Sequence, residues 1–196
     1  KSLTRHRFRL VQERSRFKIS YSRILDIVFP ELPGVVWSIS QKSMLSMLLE
    51  LPNTKAIGQC HLTRLVSLLE KNSHGRYNRD KAIEIRELAR NSIGSNSPAL
   101  AFELQQIIRS ILFLQEEIAL LDNQIKAVVQ EIDSPIMSIP GISYTLAAMI
   151  LAEIGDVERF SSPAKLLAFA GLEPSTYQSG TFTASHCAMV KRGSKY

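Results

Sequence analysis

The sequence has little cysteine, and its two cysteines are poorly placed for structural chemistry. Its 196 residues include only Cys60 and Cys187, which lie far apart along the chain. Two distant cysteines do not make a disulfide framework, so we expect a reducing, cytoplasmic compartment. Neither Cys60-His61 nor His186-Cys187 has the paired spacing of a structural zinc site, so no metal site is predicted.

Long apolar runs and alternating patterns are also missing. No run approaches the roughly 18 residues that a membrane-spanning helix needs, and no apolar segment follows the basic amino end as in a signal peptide. No stretch alternates steadily between apolar and polar residues, so we predict a mainly α, elongated fold with at most a small hairpin within residues 182–190. The sequence begins without Met and ends in KRGSKY, from which we expect a fragment of a longer protein.

Acidic residues are outnumbered by basic ones. The chain has 24 Lys and Arg against 18 Asp and Glu, a net charge of +6, which favours polyanionic partners. The excess is concentrated in residues 1–23, where Glu13 is the only acid. The alternatives for this segment are a solvated helix face and a DNA-binding surface. The arginines predicted to contact DNA are Arg5, Arg7, Arg9, Arg14 and Arg16.

The pattern of apolar residues and helix breakers divides the chain into four regions. We predict a basic helix over 1–30, a small helical lobe over 31–95, a long coiled-coil helix over 96–133 and a compact helix-hairpin-helix domain over 134–196. In the basic helix an apolar residue recurs every seven positions. These residues are Leu3, Leu10, Phe17 and Ile24, and Tyr21 and Val28 join them on the same face. In the lobe, Trp37 is expected in the core.

The long helix carries the strongest periodic signal. Apolar residues alternate spacings of four and three, which is typical of a coiled coil. They are Leu100, Leu104, Ile107, Ile111, Leu114, Ile118, Leu121, Ile125 and Val128. Ser97 and Pro98 predict the start of this helix, and Asp133 its end. The partner of the seam is either an antiparallel helix of the same chain or a second chain, and we favour both together in a homodimer.

A helix-hairpin-helix pattern lies around residues 140–142. Ile136 and Ile139 form the edge of a short first helix, and Gly141 permits the turn. Ser143 is the predicted N-cap of a second helix over 144–154. Free backbone N–H groups at such a helix start suit a phosphate, so DNA contacts are predicted at Gly141, Ile142, Ser143, Tyr144 and Thr145. The alternative is a helical hairpin without a ligand. At the end of the second helix, Glu153 and Asp156 are expected to be solvated or bonded to Arg159.

A small hydroxyl follows in the segment Gln178-Ser179-Gly180. A serine is a weak nucleophile that needs a base, a metal or cations on the phosphate. Lys191 and Arg192 come shortly after and can neutralise a phosphate. The alternatives are that Ser179-Gly180 is only a turn, or that Tyr177 is the nucleophile.

Several segments resemble insertion-sequence transposases of the IS110/IS116/IS902 family. The carboxyl-terminal resemblance rests on ILAEIGDVERF (150–160), LLAFAGLEP (166–174), QSG (178–180) and KRGS (191–194). Upstream it rests on LTRHR (3–7), LVQER (10–14) and LDIVFP (25–30). The segments stand in the family's order across nearly the whole chain.

The resemblance implies a DNA transposase whose nucleophilic serine corresponds to Ser179. It implies a RuvC-like amino-terminal domain with an acidic metal site before Lys1, so Mg²⁺ is expected only with that domain, and no cofactor is expected in this fragment. It also implies a coiled coil, oligomeric assembly and a structured guide RNA. On this interpretation the fragment is inactive alone. The alternatives are a non-catalytic DNA-binding and dimerisation module, and a purely structural coiled-coil protein.

Overall fold

The chain is mainly α, as predicted. The computed structural model describes residues 1–73, 76–175, 178–183, 188–190 and 192–193. The α-helices are α1 (Ser2–Val28), α2 (Lys42–Glu50), α3 (Thr54–Gln59), α4 (Leu62–Ser73), α5 (Arg79–Asn91), α6 (Pro98–Ile132), α7 (Tyr144–Ile154) and α8 (Pro163–Phe169). Short 3-10 helices cover Leu32–Gly34, Pro135–Ser138 and Val157–Arg159, and strands β1 (Gln178–Ser179) and β2 (Phe182–Thr183) pair antiparallel. Over the described ranges, no helix is both long and apolar enough to cross a membrane.

The chain folds as two compact units. The terminal unit consists of Lys1–Phe8 together with Leu120–Tyr196, and the central unit consists of Arg9–Ala119. Helices α1 and α6 therefore each contribute residues to both units.

The central unit has the larger core. Helix α2 packs on α4, and α3 packs on α5. Side chains such as Phe29, Met44 and Ile85 are fully buried, and burial of one such side chain contributes about 1.5–3 kcal/mol. Two short helices begin at asparagine caps, because Asn53 Oδ1 accepts from Ala56 N at 2.8 Å and Asn78 Oδ1 accepts from Lys81 N at 3.0 Å.

The seam predicted for α1 is buried in the second half of the helix, where Tyr21, Ile24 and Val28 are buried. Earlier in the helix Leu3 and Phe17 are 39% and 36% exposed, whereas the polar Thr4 is buried. The polar atoms of two of these residues have backbone acceptors: Thr4 Oγ1 donates to Lys1 O, and Tyr21 Oη donates to Ile39 O. A polar side chain that is satisfied in this way can be buried, so a pattern of apolar residues alone does not predict the burial of Thr4.

The seam of α6 is confirmed over most of its length. The predicted residues Leu104, Ile107, Ile111, Leu114, Ile118 and Ile125 are all buried. Near the end of the helix Val128 is 42% exposed and its neighbour Val129 is 2% exposed. A straight α-helix drifts by about 20° per heptad against a strict repeat, so an adjacent residue takes over after several heptads.

The prediction that Trp37 belongs to the core is wrong. Its side chain is 95% exposed, whereas its neighbour Val36 is 9% exposed. Both residues lie in the irregular segment between the 3-10 helix Leu32–Gly34 and α2. Such a segment has no fixed side-chain period, so one apolar residue can be buried while the next faces solvent.

Candidate functional site

Ser179 lies at the tip of a β-hairpin. It pairs with Phe182 across a two-residue loop of Gly180 and Thr181. Gly180 has a φ of +59°, and glycine at the first loop position is typical of the type II′ turn that suits hairpins. The Ser179 side chain is exposed, so a small hydroxyl is presented to solvent by a tight turn. The small carboxyl-terminal hairpin predicted from sequence is present, although β1 begins before the predicted range.

The base of the same hairpin is held by backbone hydrogen bonds. Ser175 N donates to Ala188 O at 2.8 Å, and Val190 N donates to Glu173 O at 2.9 Å. Pro174 and Met189 form an antiparallel bridge between these bonds. Residues 173–175 and 188–190 are therefore paired below the tip.

Two glycines bring the end of the hairpin against the end of α8. A Cβ on Gly171 would lie 2.4 Å from Gly193 N, and a Cβ on Gly193 would lie 2.1 Å from Ala170 O. No other residue type fits so close a contact between backbones, and the φ of +72° at Gly171 also favours glycine. The contact places the exposed Arg192 at the base of the hairpin, at the opposite end from Ser179. Lys191, Tyr177 and His186 lie outside the described residues.

The turn before α7 has the predicted caps but a shorter first helix. One 3-10 turn, Pro135–Ser138, stands where a short helix was predicted. Gly141 has a φ of +89°, and Ser143 Oγ accepts from Leu146 N at 3.2 Å as the N-cap of α7. The bounds of α7, Tyr144–Ile154, are those predicted, and Ile142 packs against the small core that contains Ala147. The Ile142 N–H donates to Ile139 O at 3.2 Å, so it is not one of the free groups of this turn. A phosphate contact at this helix start stays a prediction.

A carboxylate already lies beside the start of α7. Asp122 accepts a hydrogen bond from Thr145 Oγ1 at 3.3 Å. It also accepts two bonds from Arg7, one of them from Nη2 at 3.3 Å. Lys126 lies with Nζ 5.4 Å from the centre of the Tyr144 ring. Since Arg7 and Asp122 offset each other's charge, the positive potential at this helix start comes from Lys126 and the helix dipole.

Arg5 is likewise engaged within the terminal unit. Its Nε and Nη2 donate to the two carboxylate oxygens of Glu153, each at 3.0 Å, and Lys1 Nζ lies 3.3 Å from the same carboxylate. The hydrogen bonds from Arg5 are the main cause that lowers the pKa of Glu153 to about 2; partial burial opposes them and Lys1 assists. The Glu153 side chain is only 12% exposed.

The prediction that Glu153 is solvated or bonded to Arg159 is wrong, since its carboxylate binds Arg5. Arg159 instead lies 4.6 Å from the centres of the Phe160 and Phe169 rings, a cation–π geometry. Asp156 caps the 3-10 helix Val157–Arg159 by accepting from Glu158 N at 2.9 Å.

The five arginines predicted to contact DNA therefore fall into two groups. Arg5 and Arg7 bind carboxylates of the terminal unit, whereas Arg9 and Arg16 are exposed. Arg14 is half-buried, and its Nε has no hydrogen-bond partner among the described residues. Sequence reasoning missed the roles of Glu153 and Asp122, which lie 148 and 115 positions from their arginines, and no local pattern marks such pairs.

No acidic cluster suits a metal ion in the part of the chain that the structure describes. It contains no group of three or more His, Cys, Asp or Glu placed to hold one.

Comparison with known proteins adds the family. Residues 133–196 match the model described as the Transposase IS116/IS110/IS902 family. A transposase for insertion sequence element IS1111A from Coxiella burnetii is 32% identical over 95 residues, which cover 47% of this chain and 26% of that protein. An insertion element IS110 uncharacterized 43.6 kDa protein from Streptomyces coelicolor is 36% identical over 74 residues, which cover 37% of this chain and 18% of that protein. The matches span about a quarter or less of these relatives. The region that contains the α7 turn and the Ser179 hairpin is therefore similar to the IS116/IS110/IS902 transposase family.

Proposed function

We propose that this chain is part of an enzyme of insertion-sequence transposition in which Ser179 attacks a DNA phosphodiester. The observation that carries the proposal is the exposed position of Ser179 at the hairpin tip, inside the family-matched region. Gly180 has no side chain and has open space where a Cβ would stand. A DNA backbone can therefore approach the hydroxyl closely.

The proposed step exchanges one phosphodiester bond for another. The Ser179 hydroxyl loses its proton to a base, and its Oγ forms a bond to phosphorus. The bond between phosphorus and one deoxyribose oxygen breaks, and that oxygen takes up a proton. Because a phosphodiester is present before and after, a second DNA hydroxyl can reverse the step and join a new strand without an outside energy source.

The remaining contacts of the proposal position DNA rather than read its sequence. The backbone N–H groups of Tyr144 and Thr145 in the first turn of α7 and the Lys126 ammonium favour a phosphate there. Arg192 offers a second contact at the base of the hairpin, and Arg9 and Arg16 offer others on α1. Arg5 and Arg7 are better assigned to stability, because each already binds a carboxylate.

In this proposal the chain supplies the nucleophile and the phosphate contacts. Since the described residues contain no group of three or more His, Cys, Asp or Glu that could hold a metal ion, no step is derived through one. We expect the chain on its own to lack strand-transfer activity, and we expect activity only in the full-length transposase.

The test is a covalent trap in the full-length transposase with DNA of the element's ends. We expect a protein–DNA adduct that survives denaturation and maps to the peptide containing Ser179. Ser179→Ala abolishes both the adduct and strand exchange, whereas Thr181→Ala, which removes a hydroxyl from the same turn, retains them. Unchanged strand exchange in Ser179→Ala would remove the nucleophile from the proposal.

A second candidate is a non-catalytic DNA-binding module that dimerises through α6. It is favoured by two apolar side chains on that helix, Phe102 and Phe113, which are 61% and 60% exposed although the seam residues Leu104 and Ile111 are fully buried. At about 100° per residue, both phenylalanines lie on the face of α6 away from that seam. Sedimentation of a Phe102→Glu, Phe113→Glu double variant tests the dimer, and a monomer is expected. The covalent trap separates this candidate from the enzyme.

A further inference from the structure

The exposed Trp37 marks a second surface, in the central unit. It is the only tryptophan of the chain, and its side chain is 95% exposed. A large aromatic side chain that is left in water is the residue type most enriched at contact surfaces. The central unit also lies outside residues 133–196, so the family match does not account for this residue.

A cavity of about 490 Å³ lies beside this indole, a size that is typical of small-ligand pockets. It combines aromatic, amide and cationic groups. Its lining residues are Val35, Trp37, Gln41, Arg76, Tyr77 and Lys81.

Internal hydrogen bonds fix three walls of the cavity. Gln41 Nε2 donates to the hydroxyl of Tyr77, and Tyr77 is only 6% exposed. Lys81 Nζ donates to Val35 O at 3.1 Å and to Glu84 Oε2 at 2.5 Å. Arg76 is exposed at the rim. Because Glu84 offsets Lys81, Arg76 supplies the net positive charge of this surface.

We propose that this cavity binds an unpaired nucleobase of a single-stranded nucleic acid. The base stacks on the Trp37 indole, the Gln41 amide offers hydrogen bonds to the base edge, and Arg76 meets the neighbouring phosphate. A base inside a duplex is already stacked on both faces, so only an unpaired base can reach the indole. An apolar protein partner fits less well, since an amide, a guanidinium and an ammonium line the same cavity. The site is separate from the Ser179 hairpin, so either assignment can fail without the other.

The single tryptophan makes a direct binding assay possible. All tryptophan fluorescence of the chain comes from Trp37, and stacking of a base quenches it. We expect saturable quenching by single-stranded oligouridine RNA or oligodeoxyuridine DNA of about eight nucleotides, within the range of known single-strand sites. A blunt duplex of the same length quenches much less, because only its two terminal base pairs have a free face. Tighter binding of the RNA identifies RNA as the source of the base, since only RNA offers the 2′-hydroxyl, whereas equal binding identifies base and phosphate alone.

Variants then assign the contacts, with the anisotropy of a labelled oligonucleotide as the readout. Trp37→Ala weakens binding about tenfold or more, as expected for the loss of one stacked base, and Trp37→Phe restores most of it. Arg76→Ala weakens binding and reduces its salt dependence. Ile93→Ala removes an apolar side chain of the same unit that is 89% exposed, and leaves binding unchanged. Because Trp37 is exposed, its variants keep the fold, which circular dichroism checks. Absence of quenching by both single strands, or wild-type affinity in Trp37→Ala, overturns the proposal.

Discussion

The pair of Arg5 and Glu153 allows a quantitative test of what holds the terminal unit together. Two charge-assisted hydrogen bonds of 3.0 Å join side chains that are 39% and 12% exposed. Exposed pairs contribute about 0.2–1 kcal/mol, and two-fold guanidinium–carboxylate contacts are stronger. Since solvent screens the arginine, we expect a coupling free energy of about 1 kcal/mol from the double-mutant cycle of Arg5→Ala and Glu153→Ala.

The pH dependence of this coupling has a definite sign. The pKa of Glu153 is lowered to about 2 in the folded chain, against an ordinary value of 4.5. The unfolded chain therefore binds the proton more readily, so the contribution of the carboxylate is complete above about pH 4.5 and is lost as the pH falls towards about 2. Replacement of the carboxylate by an amide in Glu153→Gln removes this dependence.

Hydrogen exchange of α7 amides is the suitable measurement, because the only tryptophan lies in the other unit. Glu153 stands on α7, so loss of the pair raises the exchange rate of that helix. Arg16→Ala, which removes an exposed arginine of α1 from the central unit, is the control and leaves α7 exchange unchanged. A coupling near zero at neutral pH, or one that persists undiminished at about pH 2, would refute the assignment of Arg5 to stability.

Three further predictions concern the backbone of the candidate site. Gly141→Ala lowers the free energy of opening of α7, measured by hydrogen exchange, by about 1–2 kcal/mol, because its φ is +89° although the space is open. Gly34→Ala is the control and is nearly neutral, since Gly34 has open space and no positive φ. Ser143→Ala removes the cap of α7 and costs about 1 kcal/mol in the same measurement. Gly171→Ala releases the hairpin from α8 and makes residues 173–190 sensitive to limited proteolysis, because its Cβ would meet backbone at 2.4 Å. Gly180→Ala is also unfavourable, because φ is +59°, but its space is open, so it raises the proteolysis rate less than Gly171→Ala; equal sensitivity of both variants would contradict the close-contact argument.

The elements that sequence predicts best are those whose signals are local. Helix α6 starts at Pro98 and stops before Asp133, which has a φ of +46°, and α7 is bounded by its Ser143 cap and by Gly155. Caps, breakers and a period close to 3.6 act within a few residues. For this reason the periodic pattern also predicted most of the buried residues of α6.

The features that sequence missed depend on distant partners. Arg5 looks like a DNA-binding residue until Glu153 is placed beside it, and the contact of Gly171 with Gly193 exists only once the hairpin has formed. Trp37 shows a different limit, because hydrophobicity alone cannot distinguish a buried tryptophan from an exposed one. Ser179 was placed in a loop by its glycine neighbour, but its strand pairing with Phe182 needed the tertiary structure.

The terminal unit joins the first eight residues of the sequence to residues that are synthesised more than a hundred positions later. During translation, residues 1–8 therefore cannot form their contacts with Glu153 until that residue has left the ribosome. The family-matched region is also smaller than the folding unit, since Ile142 and Ala147 pack on Ile125 and Val129 of α6. A polypeptide excised at residue 133 would expose this apolar contact to water, so a domain boundary drawn from sequence similarity would cut through the structure that supports it.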